Sequence, residues 1–133
     1  MAHEPHEPHQ RLVHAEEVFC IQGAIFEVNR VMGPGFLEAV YHECLGLEFA
    51  ARNVPFRSTP QLVLAYKGTQ LQQTYSPDFV CFDKIIVELK TARELVAAHR
   101  AQILNYLRAT SLRVGLLVNF GAGPRATVER LIL

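Results

Sequence analysis

Ser76-Pro77-Asp78-Phe79-Val80-Cys81-Phe82-Asp83-Lys84-Ile85-Ile86-Val87-Glu88-Leu89-Lys90 is the stretch that decides the fold. It spans the end of one β-rich run, residues 72–82, and the whole of another, residues 84–90, joined near Asp83. A hairpin centred on Asp83 sets Asp78 opposite Glu88. Lys90, two residues on, projects from the same face as Glu88. A hairpin register can slip by one residue or carry a bulge, so this pairing is approximate. Ile85, Ile86 and Val87 are apolar on both faces, as in a strand covered on both sides. Two carboxylates and one ammonium therefore converge at one end of an otherwise apolar sheet.

Oxygen donors so placed bind a hard divalent cation such as magnesium. The ion can polarise a phosphodiester and orient a water. A lysine beside it can stabilise the transition state or help to deprotonate that water. Taken alone, an Asp and a Glu-x-Lys read more often as a salt bridge at a strand end.

Upstream of the hairpin the pattern is helical. Val18, Ile21, Ile25, Val28 and Met32 recur at steps of three and four, which predicts a helix over about residues 11–32. Leu12, Phe19 and Phe26 widen its apolar stripe. Gly33-Pro34-Gly35 stops it. A second helix is expected over about residues 36–52, with Glu38 in its first turn, where the macrodipole favours a carboxylate. Residues 61–66 read as a strand and 67–69 as a turn. Downstream, residues 92–108 read as a third helix, 113–120 as a buried strand and 126–133 as a last, edge strand. The order is ααβββαββ. The third helix can carry the chain to a strand parallel to its predecessor.

Several motifs lie on this frame. Pro77-Asp78 and Glu88-Leu89-Lys90 resemble the two halves of the PD-(D/E)XK nuclease motif. Gln102 and Tyr106 stand four apart on one helix face, similar to an additional motif of the RecB-like branch of that superfamily. Gly35-Phe-Leu-Glu38-Ala-Val-Tyr41 resembles the pattern that names the GxxExxY family. Gly33-Pro-Gly-Phe36, Tyr66-Lys-Gly68, Gln102-Ile-Leu-Asn-Tyr106 and Gly115-Leu-Leu-Val-Asn-Phe-Gly121 are similar to it too. The likeness covers about residues 15–133.

The resemblance implies an α/β restriction-endonuclease-like core, a mixed central sheet of about five strands flanked by helices. It implies Asp78 and Glu88 as metal ligands, Glu38 as an extra ligand acting directly or through water, and Lys90 as the catalytic lysine. Gln102 would position Lys90, the water or the substrate phosphate. Tyr41 and Tyr106 would support the site or the substrate, although packing with a hydrogen-bonded hydroxyl is the commoner use of such residues. The cofactor would be Mg2+, with Mn2+ as the alternative. The partner would be nucleic acid, DNA ahead of RNA. Many relatives are expected to carry histidine where this chain has Asn29. A nucleic-acid-binding or assembly protein that no longer cleaves is the competing reading.

The chain has 133 residues, half of them hydrophobic, which fits one domain over residues 11–133. Residues 1–10, a His-Glu-Pro repeat, read as a disordered tail. Thirteen basic residues balance thirteen acidic ones, which argues against tight, sequence-blind nucleic-acid binding. Cys20, Cys44 and Cys81 form no CxxC pair and read as free thiols. No segment resembles a signal peptide or a membrane span, so a cytoplasmic location is expected. His42 and His99 read as solvated helix residues. The final strand is a candidate edge for pairing two copies into a homodimer.

Overall fold

The structure is a computed structural model that describes residues 13–133. The His-Glu-Pro repeat lies outside the described residues. Two helices come first, α1 (Ala15–Met32) and α2 (Glu38–Ala51). Five strands follow: β1 (Phe56–Ser58), β2 (Leu62–Tyr66), β3 (Thr69–Tyr75), β4 (Phe79–Cys81) and β5 (Ile85–Lys90). Then come α3 (Ala97–Thr110), β6 (Val114–Asn119) and β7 (Thr127–Ile132). Five strands form one sheet in the order β1-β4-β5-β6-β7, while β2 and β3 form a separate two-stranded ribbon. β5 and β6 are parallel and the other neighbours antiparallel, so the sheet is mixed.

The β4–β5 register is Phe79↔Val87, Val80↔Ile86 and Cys81↔Ile85, as expected of a hairpin centred on Asp83. Phe82 and Asp83 both take positive φ, and the Lys84 amide bonds back to the Cys81 carbonyl, which closes a tight turn. Strand alternation then gives β5 two different faces. Ile85, Val87 and Leu89 pack with β6 residues Leu116 and Val118 against α1 and α2. Ile86 packs with Val80 and Leu117 against Ile103 and Leu107 of α3. By the same alternation Glu88 and Lys90 belong to the α3 face.

The expected single strand over residues 72–82 is in fact two. Its first part joins the ribbon as β3 and its second joins the sheet as β4. Pro77 has no N–H to donate and breaks the ladder between them. β1, a short strand after Pro55, was also not expected. α3 starts at Ala97 rather than Ala92, because both backbone groups of Ala92 are held by the Asn119 side chain. On α1 the buried stripe is Val18, Ile21, Ala24, Ile25 and Val28. Phe19 and Phe26, expected to widen it, face outward at 77% and 38% exposure. β7 is an outer edge of the sheet, as expected. Among the described residues, no helix is long and apolar enough to cross a membrane.

Candidate active site

One position beyond the β4–β5 ladder, side chains take over from the backbone. The Asp78 amide donates to Glu88 Oε1 at 2.9 Å, and the Leu89 amide donates to Asp78 Oδ2 at 2.7 Å. Glu88 Oε2 accepts from the Tyr75 hydroxyl at 2.8 Å. The Tyr75 ring in turn lies flat on Tyr106, centroids 3.6 Å apart and planes 2° from parallel. Sequence reasoning missed Tyr75. Its only sequence signal is a place three residues before Asp78, at the end of a strand.

The carboxylate pair is electrostatically loaded. Burial is the largest influence on Glu88 and pushes its carboxyl up to about 7. The bonds from the Asp78 amide and the Tyr75 hydroxyl pull it down, and the Asp78 charge raises it again. Glu38, the first residue of α2, is also raised, first by burial and then by the charge of Asp78. Lys90 and His42 oppose that rise. Glu38 thus feels the charges of Asp78 and Lys90, forty and fifty-two residues distant in sequence. Lys90 is half-buried and makes no contact ion pair among the described residues.

α2 is set in place by a bolt. The Tyr41 hydroxyl donates to the Gly33 carbonyl at 2.5 Å and accepts the Phe36 amide at 3.3 Å. Its ring is buried against Phe120 at 4.3 Å. Gly33 and Gly35 both have positive φ, which the tight turn before Glu38 requires. Gly35, Glu38 and Tyr41 thus divide the labour: turn, presented carboxylate, anchor.

His42, one turn after Glu38, is not the solvated residue expected. It stacks on Phe79 at 4.4 Å, and its Nε2 donates to the Asp78 carbonyl at 3.2 Å. His99 is half-buried, and its Nδ1 accepts the Val96 amide at 3.3 Å at the start of α3. Asn29 accepts the Ala126 amide through Oδ1 at 3.1 Å, so here it ties α1 to the approach of β7. Gln102 is exposed on α3 and makes no hydrogen bond to Asp78, Glu88 or Lys90 among the described residues.

The loop after Lys90 is held by Asn119, the one fully buried polar residue described. Its Oδ1 accepts the amides of Ala92 and Gly121, and its Nδ2 donates to the Ala92 carbonyl. Gly121 has to be glycine, since a Cβ there would sit 2.5 Å from the Thr91 carbonyl carbon. A cleft of about 440 Å³ opens between this loop and the α1–α2 turn, with Thr91 and Gly121 on one side and Gly35 and Leu37 on the other. It adjoins Lys90 and Glu38 along the chain.

Among the described residues, no three His, Cys, Asp or Glu side chains gather into a ready-made metal cage. Magnesium does not need one, because it keeps several waters and takes one or two carboxylates. Asp78 and Glu88 would supply that set, oxygen only, and the Asp78 charge raises the Glu88 carboxyl in the absence of a cation. The donor chemistry fits the ion.

Residues 15–131 match the PD-(D/E)XK nuclease superfamily. The chain belongs to that superfamily. The fold of the chain also resembles that of SSO0001, known from its crystal structure. The TM-score is 0.50 and the identity 16%, over 84% of this chain and 66% of that one. At such identity the likeness speaks for the fold alone. Among curated proteins, no sequence matches the chain.

The raised Glu88 carboxyl makes folding depend on pH. With its pKa higher folded than unfolded, its burial costs nothing at acid pH. It costs progressively more as pH rises from the ordinary carboxyl range through about 7. Without metal, Glu88→Gln should therefore raise the melting temperature at pH 8 by roughly 5 °C or more and leave it nearly unchanged at pH 4. Scanning calorimetry of both proteins in chelator checks this, and a uniform loss across pH would contradict it. Tyr75→Phe removes a donor to the Glu88 anion while keeping the stacked ring. It should weaken magnesium binding by about ten-fold with little change in melting temperature, read by titration calorimetry.

Proposed function

We propose that the protein is a magnesium-dependent nuclease that hydrolyses phosphodiester bonds, with DNA as its substrate ahead of RNA. One observation carries this reading: Glu88 is held by the Asp78 amide and Asp78 by the Leu89 amide, which pairs the two carboxylates at the sheet end where Lys90 projects and whose charges act on Glu38. Membership of a superfamily whose members are usually nucleases supports it.

Asp78 and Glu88 would hold the cation, and Glu38 would bind it through water. When bound, the cation would polarise the phosphodiester and lower the pKa of an attacking water. Lys90 would set its positive charge against the phosphate oxygens as negative charge builds on them. Tyr75 would keep Glu88 oriented, and Tyr106 would back Tyr75. Gln102 would face the substrate. The charge cluster of Glu38, Asp78 and Glu88 would otherwise repel a phosphate, so the cation and Lys90 together would make the site accept one. The GxxExxY likeness fits this division of labour, since Gly35 and Tyr41 serve to present Glu38. A second copy paired along β7 would place two sites on two strands.

The neutral net charge favours a second reading, a nucleic-acid-binding or assembly protein that does not cleave. Cleavage assays separate the two. Wild type should cut at least one of single-stranded, duplex or branched DNA or RNA with magnesium or manganese. Lys90→Ala should cut about a hundred-fold more slowly while binding metal as well or better and melting within a few degrees of wild type. Lost stability with cleavage unchanged would make Lys90 a structural residue. A wild type inert with every metal and substrate would leave the binding reading.

A further inference from the structure

The β2–β3 ribbon stands apart from the main sheet and packs on α3, and between them lies a groove of about 520 Å³. Leu64 and Leu71 of the ribbon form one wall, and Ala101 of α3 lies on the other. Gln102, Asn105 and Tyr106 complete the α3 side, and no charged side chain lines the groove. Two side-chain contacts in series link one wall of the groove to the carboxylate pair. Tyr106 lines the groove, Tyr106 lies flat on Tyr75, and the Tyr75 hydroxyl bonds Glu88.

The lining selects its occupant. A phosphate needs cationic partners, and the groove has none. A flat, neutral ring with polar edges fits better: its faces can pack on leucine and tyrosine, and its edge can bond to the carboxamide of Gln102. Bases in a duplex keep their faces stacked on one another and cannot enter without being turned out. We propose that this groove holds an unpaired DNA base beside the phosphate engaged at Asp78 and Glu88, so that the protein prefers single-stranded or frayed DNA. This rests on the phosphodiesterase reading only for where the neighbouring phosphate lies.

The test measures binding separately from cleavage. A fluorescein-labelled single-stranded oligodeoxynucleotide and its blunt duplex are titrated with wild type, Ala101→Phe and Leu71→Glu, with calcium present. Ala101 and Leu71 are both exposed, so either substitution can fill or charge the groove while the fold persists. Melting temperature checks that. Wild type should bind the single strand about ten-fold tighter than the duplex, and both variants should lose that preference. If wild type binds both forms equally, or the variants bind the single strand as wild type does, the inference is overturned, even where the protein cleaves DNA. If no DNA is cut but both variants still lose the single-strand preference, the nuclease reading fails and the groove stands.

Discussion

Where the β4–β5 ladder runs out, Asp78 and Glu88 extend it with their side chains. Each carboxylate accepts an amide from the opposite strand, Asp78 from Leu89 and Glu88 from Asp78 itself. Two like charges are thus tied by bonds that neither can leave without orphaning a backbone donor. Burial compounds the cost, as the raised carboxyl of Glu88 records. Neighbouring parts of the structure serve this arrangement. Tyr75 donates to Glu88, His42 donates to the Asp78 carbonyl, and Asn119 clamps the loop that follows Lys90.

The two faces of the sheet divide the work. α1 and α2 cover one face with a conventional apolar core, and at its margin the Tyr41 bolt presents Glu38. α3 and the ribbon cover the other, and there the packing is incomplete. It leaves a neutral groove between the ribbon and α3, tied to Glu88 through the Tyr75–Tyr106 stack. The polar end of β5 is reached from both sides, by α2 through Glu38 and by β3 through Tyr75.

The sequence made the hairpin legible because its centre and its apolar alternation are local features. Asp83 fixes the register, and the Asp78–Glu88 pairing follows. The parallel step from β5 through α3 to β6 was legible for the same reason. What escaped depends on contacts made at a distance. Pro77 cuts one β-rich run into strands of two different sheets, and the start of α3 is delayed by a bond from Asn119, far along the chain. His42 looked solvated until Phe79 packed beneath it. Tyr75 and Asn119 carry no spacing signal, since their roles arise from where strands end. Phe19 and Phe26 were misread because periodicity gives the width of an apolar stripe but not how much of it the neighbours cover.

The central claim is that Asp78 and Glu88 hold a divalent cation. Anomalous diffraction from crystals grown with manganese tests it most directly. The account predicts a single strong peak within about 2.0–2.4 Å of a carboxylate oxygen from each residue, absent from Asp78→Asn crystals. A peak elsewhere, or none at manganese concentrations that support binding in solution, would contradict it.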